Sequence, residues 1–187
     1  TIMADRNMGM AGKERAPGGS LHFLNQSQRQ IRPSFIHAEN RTEEHKLQPN
    51  IPHATGYEGP ALTVGDINGD GLDDFYIGGA RGQSGEFYYQ DSLSMFFPSG
   101  STGLPELAEE TAALLFDADN DGDLDLYLGC GSDPDLINNP ILMTDHICYR
   151  ETDGSFSAPR PLPVTTPTSV VIPCDFDLDG DTDLFVG

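Results

Sequence analysis

"DADNDGDLDLYLG", residues 117–129, sets aspartate at every second position from Asp117 to Asp125 and then turns almost wholly apolar. Carboxylates packed this closely repel one another. Two charges about 4 Å apart cost roughly 4 kcal/mol at an effective dielectric near 20. The stretch therefore asks what offsets the repulsion, and why it abuts a strand-like "LDLYLG".

The same pattern occurs three times. "DINGDGLDDFYIG" begins at Asp66, "DADNDGDLDLYLG" at Asp117 and "DFDLDGDTDLFVG" at Asp175, spaced by 51 and 58 residues. Aligned on the first aspartate, positions 1, 3 and 5 are Asp66/Asn68/Asp70, Asp117/Asp119/Asp121 and Asp175/Asp177/Asp179. Position 6 is glycine (71, 122, 180), position 9 aspartate (Asp74, Asp125, Asp183), position 11 aromatic (Tyr76, Tyr127, Phe185) and position 13 glycine (78, 129, 187). One such loop is what an acidic hairpin turn looks like. Three in register form a repeat.

Alternate side chains on a tight loop converge, and glycine at position 6 permits the sharp turn. Calcium takes 6–8 oxygen ligands. Side chains at positions 1, 3, 5 and 9 with the backbone carbonyl at position 7 (Leu72, Asp123, Asp181) nearly fill that shell, so three calcium ions are expected, one per loop. An EF-hand is excluded: position 12 is Ile77, Leu128 or Val186 where that motif needs a bidentate glutamate. Tandem GGxGxD repeats of calcium-binding parallel β-helices are also missing.

Apolar segments flank each loop. "PALTVG" (60–65), "TAALLF" (111–116) and "SVVIPC" (169–174) precede, while "DFYIGGA" (74–80), "DLYLGCG" (125–131) and "DLFVG" (183–187) follow. Such runs predict strands buried on both faces. Outer strands are predicted at "GEFYYQD" (85–91) with "SMFFPS" (94–99), and within "DHICYRETDGSFS" (145–157), turning at Asp153-Gly154. Four antiparallel strands per repeat is the period of a β-propeller blade. The expected fold is thus all-β, a propeller fragment of four-stranded antiparallel blades with Asp-rich calcium loops between inner strands. Blades are expected at 60–109 and 110–167, with the inner half of a third at 168–187. An irregular segment (1–18), an outer hairpin of a preceding blade (19–36) and a polar connection (37–59) come before them. Even a four-bladed ring at this period takes about 220 residues, so the 187-residue chain reads as an arc whose partners include the remaining blades.

These repeated residues resemble the FG-GAP/VCBS-type repeats, which form the calcium-bearing propellers of integrin α subunits and many bacterial surface proteins. "EGPALTVGDINGDGLDDFYIGGARGQ" (58–83), "FDADNDGDLDLYLGCG" (116–131) and "DFDLDGDTDLFVG" (175–187) are similar to the branch of cartilage acidic protein and UnbV-type proteins. The Phe-Gly…Gly-Ala-Pro signature survives only as Ile77-Gly78-Gly79-Ala80, and "TDHICYRETDG" (144–154) departs from the family's usual outer turn. The resemblance implies an adhesion or binding module for a protein or glycan, located outside the cell, at its surface or in the periplasm. The alternative it leaves is part of a propeller-type polysaccharide lyase or hydrolase.

Composition narrows the partners. Ten basic against 30 acidic residues give a charge of −20, and the three loops hold 14 of those acids. Nucleic acid needs the opposite field. No apolar run is long enough to insert in a membrane, and no signal peptide is expected in this segment. The five histidines show no metal-ligand spacing, and the three cysteines allow at most one internal disulfide. Lyase chemistry would need a base and cationic groups. Its candidates, His53, Tyr57, Arg81 and His146, share no motif, so no catalytic residue is assigned and the chain is expected not to be an enzyme.

Overall fold

The structure, a computed structural model, describes residues 35–38, 60–103, 109–131 and 143–187. The expectations for residues 1–18 and for nearly all of 19–59 lie outside the described residues. Among the described residues the regular elements are ten β-strands, and no helix is long and apolar enough to cross a membrane.

Strands β1 (Leu62–Gly65), β2 (Asp74–Ile77), β3 (Glu86–Gln90) and β4 (Phe96–Pro98) form one antiparallel sheet in chain order. Strands β5 (Glu109–Phe116), β6 (Asp125–Gly131), β7 (His146–Cys148) and β8 (Arg160–Pro161) form a second of the same order. A third hairpin pairs β9 (Val171–Cys174) with β10 (Asp183–Val186). Each acidic loop joins the first two strands of its unit. In all three, the position-9 aspartate pairs with the residue just before the loop: Gly65↔Asp74, Phe116↔Asp125 and Cys174↔Asp183.

Local chemistry sets the turns. Between β3 and β4, Asp91 Oδ1 accepts from the Leu93 and Met95 amides, and Ser94 adopts φ +58°. The expected turn at Asp153-Gly154 forms: Gly154 has φ +83°, and the Glu151 amide donates to the Ser155 carbonyl. Arg150 bridges Phe156 there, whereas β7 pairs Ile147 with Arg160, so the register slips by one residue between them.

The sheets stack face to face, and period-2 alternation assigns each side chain to a junction. Leu115, Leu126 and Leu128 join Ile67, Tyr76 and Phe87 in a core between the first and second sheets. Their neighbours Phe116 and Tyr127, with Leu114 packed against them, face Val171, Leu184 and Val186 of the third hairpin. Strand β6 is buried along its whole length, and each large apolar side chain so buried contributes about 1.5–3 kcal/mol. Hydrogen bonds tie adjacent first strands near their starts, from the Ala61 amide to Glu110 O, and further along, from the Leu115 amide to Thr63 Oγ1. Strands β1 and β5 therefore run side by side in the same direction, and the first two loops emerge on one rim. The third hairpin joins at the equivalent place, the Thr168 amide donating to Cys130 O as the Glu110 amide does to Gly79 O.

Burial on both faces, expected for every inner strand, holds only in the middle of the stack. Leu62 and Val64 of β1 are 60% and 58% exposed, and Ile172 of β9 is 50% exposed. Among the described residues, the first sheet and the third hairpin are each covered on one face, and their outward residues are exposed.

Candidate metal centre

Each loop is wound around its own carboxylates. Asp66 Oδ1 accepts from the Gly69 and Asp70 amides at 2.8 and 3.0 Å, and its Oδ2 accepts from Gly71 at 2.8 Å. Asp117 repeats this with the Asp121 and Gly122 amides at 3.2 and 3.1 Å. The glycine at position 6 has positive φ throughout, +84° at Gly71, +96° at Gly122 and +97° at Gly180. Position 4 is left-handed too, at Gly69 (+76°), Asn120 (+62°) and Leu178 (+63°). Only the first two of these residue types hint at that conformation.

The position-9 aspartates hold the loop to the sheet. Asp74 is fully buried, with Oδ2 accepting from the Ile67 and Asn68 amides and Oδ1 from the Gln90 amide of β3 at 2.8 Å. Asp125, also buried, accepts from Ala118 at 2.9 Å and from Arg150 at 2.7 Å. Asp183 accepts from the Phe176 amide at 2.8 Å. Burial pushes the Asp74 and Asp125 carboxyls above the usual range, opposed by these amide donors. Position 9 thus braces loop and strands as well as facing the loop interior.

Side-chain oxygens of Asp117, Asp119 and Asp125 lie within 4.8 Å of one another, and those of Asp175, Asp177 and Asp183 do the same. Oxygens up to about 5 Å apart can touch one calcium ion at 2.3–2.6 Å. The all-oxygen, anionic donor set suits a hard cation. Positions 1, 3 and 9 therefore converge in the second and third loops. Position 5 does something else: Asp70, Asp121 and Asp179 each turn Oδ1 to the amide at position 7, on Leu72, Asp123 and Asp181, at 2.9–3.2 Å. In the first loop Asn68 occupies position 3, its Oδ1 accepting from the Asp70 amide and its Nδ2 donating to Asp70 Oδ2.

The second loop holds a feature that its spacing did not reveal. Asp123, expected to offer only its carbonyl, has a buried Oδ1 without a hydrogen-bond partner. Burial raises its carboxyl first, then the neighbouring Asp121. An oxygen left this way beside a carboxylate trio is what a bound cation would satisfy. Its sequence signal is the fifth aspartate of the alternation, at a position where the first loop has leucine.

Of the four candidates for catalysis, Arg81 and His146 are among the described residues. His53 and Tyr57 lie outside the described residues. Arg81 is exposed in the turn after β2. His146 opens β7 half-buried, and burial lowers the pKa of its imidazole. The cysteines are all free, Cys130 and Cys148 buried and Cys174 exposed. Sequence reasoning missed the roles of Tyr76 and Tyr127, whose hydroxyls donate to the buried Glu110 and Asp145. Their recurrence at position 11 was the available signal.

Residues 66–128 match a family model described as an FG-GAP-like repeat. The match runs from the first aspartate of the first loop through the second loop into β6. No curated protein matches the chain.

Proposed function

We propose that this chain, which carries an FG-GAP-like repeat over residues 66–128, is a calcium-binding arc of a β-propeller that serves as a binding module for a protein or glycan outside the cell. The observation that carries the reading is the twofold convergence of position-1, -3 and -9 carboxylates on repeated loops. Calcium would be held by Asp117, Asp119 and Asp125 with Asp123 beside them, by Asp175, Asp177 and Asp183, and in the first loop by Asp66, Asn68, Asp70 and Asp74. The position-5 residues Asp121 and Asp179 and the carbonyls of Leu72, Asp123 and Asp181 would complete the shells. Bound calcium supplies positive charge that offsets the crowded carboxylates and stiffens the rim.

Further blades of the same propeller would cover the two open faces. The affinity range of extracellular calcium modules, about 10⁻⁴–10⁻³ M, matches an extracellular, surface or periplasmic setting. The VCBS-like branch of cartilage acidic and UnbV-type proteins is the relative that the loop sequences favour. Immobilised protein and glycan panels, probed with the chain in calcium and in chelator, test the functional part. Retention in calcium that is lost in chelator supports a binding module. Calcium-dependent appearance of unsaturated sugar ends from uronate polysaccharides would make the chain part of a lyase instead.

A further inference from the structure

Two buried carboxylates outside the loops grip the same pair of donors from different places. At the first junction, Glu110 Oε2 accepts from the Tyr76 hydroxyl at 2.6 Å and from the Gly79 amide at 3.0 Å. At the second, Asp145 accepts from the Tyr127 hydroxyl at 2.5 Å and from the Cys130 amide at 2.8 Å, with Thr168 Oγ1 adding a bond at 2.7 Å. Both tyrosines stand at position 11 of their repeats, and Gly79 and Cys130 both stand at position 14. The donors correspond, but the carboxylates do not. Glu110 belongs to β5 of the following sheet, whereas Asp145 precedes β7 of the same sheet.

The exchanged places correspond as well. Pairing sets Glu86 opposite Ile77 and His146 opposite Leu128, so Gly85 stands where Asp145 stands. The Glu110 amide donates to Gly79 O at 3.0 Å and the Thr168 amide to Cys130 O at 3.1 Å, so Thr168 stands where Glu110 stands. The position-13 glycines confirm the match. A Cβ on Gly78 would lie 3.1 Å from Glu110 Cβ, and one on Gly129 would lie 2.7 Å from Thr168 Cγ2. Space is exclusive: a Cβ on Gly85 would fall 2.1 Å from the Tyr76 hydroxyl and 2.6 Å from Glu110 Oε2.

We infer that these four residues form one carboxylate key in two interchangeable arrangements, Gly85 with Glu110 and Asp145 with Thr168, and that the key decides which strand each sheet accepts against its face. A sheet with glycine before its third strand takes a neighbour that brings glutamate. A sheet with aspartate there takes a neighbour that brings a small hydroxyl residue. The wrong combination puts two carboxylates in one dry site, or leaves a phenol and an amide buried without an acceptor. Both penalties reject the mismatched neighbour. The key does not rest on calcium binding.

The test uses the full chain, with melting and amide exchange measured for Asp145→Gly, Thr168→Glu and the double variant, in calcium and in chelator. Each single change lowers the melting temperature by of the order of 10 °C, as expected for two or so mispaired buried groups in a chain of this size. Asp145→Gly also speeds exchange of the Cys130 amide at least tenfold. The double variant regains most of the melting temperature and of the Cys130 protection. A double variant whose loss equals the sum of the two single losses overturns the key, and so does a tolerated Thr168→Glu. If the double variant does not fold, the reverse exchange decides, Gly85→Asp with Glu110→Thr. Rescue relative to its single changes upholds the inference, and additive loss ends it.

Discussion

Leu178 sits at φ +63° and is 85% exposed, so it bears left-handed strain without packing in return. The equivalent positions carry Gly69 and Asn120, residues that adopt this conformation readily. Leu178→Asn should stabilise the chain by about 0.5–1 kcal/mol, read as a raised midpoint in urea unfolding. A lowered midpoint would mean that the side chain is held by contacts. The cysteines give a second expectation. Burial pushes the Cys148 thiol up to about 12 and the Cys130 thiol well above its usual range. An aromatic disulfide reagent at pH 8 should titrate one thiol per native chain, Cys174, and all three in denaturant. Glu110 gives a third. Its carboxyl is raised above 4.5, first by burial, and the Tyr76 and Gly79 hydrogen bonds only partly oppose this. As pH falls towards the ordinary carboxyl range, the folded chain takes up this proton before the unfolded chain does. Glu110 therefore contributes stability that grows on acidification through that window and is lost as pH rises. Glu110→Gln should flatten that part of the melting-temperature profile, and an unchanged slope would assign it to other groups.

At the scale of the acidic loop, two aspartates separate structure from metal. Asp125 accepts from the Ala118 and Arg150 amides, so Asp125→Ala strands both donors and should destabilise by about 2–4 kcal/mol even in chelator, with a further loss in calcium because Asp125 also belongs to the converging trio. Asp119 is exposed and belongs to the converging trio. Asp119→Ala should therefore lower the melting temperature in calcium and leave it unchanged or raised in chelator, where it removes repulsion. Binding at a hundredfold excess over the dissociation constant stabilises by about 2.7 kcal/mol, which bounds the calcium-dependent part. Equal loss in both conditions would make the loop a turn that happens to be acidic. Most of this element was legible in the sequence, because spacing alone fixes which residues share a tight loop and glycine marks the position-6 turn. The bracing role of position 9 was not legible: the amides of Gln90 and Arg150 arrive from the outer hairpin, and no local pattern announces them. Likewise the left-handed geometry at position 4 was hidden where leucine occupies it.

Across the whole molecule, the repeat period predicted two four-stranded antiparallel sheets and a third hairpin, and these formed in meander order. The junctions between them were less legible, since stacking depends on which alternate side chains face each neighbour. Ile67 shows the difficulty: at position 2 of an acidic loop it looks exposed, yet it is buried in the core between the first two sheets. Its counterpart Phe176 is 85% exposed, as is expected of a face that nothing covers among the described residues. Local spacing thus reports the loops, while non-local packing decides where burial falls. Calcium bound as proposed would join the two scales, because each loop closes the first two strands of a stacked unit and binding to the folded loop would add to folding stability. Calorimetric titration of the chelator-stripped chain tests this most directly. The account predicts calcium uptake approaching three ions per chain in the 10⁻⁴–10⁻³ M range, with a melting temperature that climbs with calcium and is lowered by Asp119→Ala only when calcium is present. No heat and no shift in melting at millimolar calcium would contradict it.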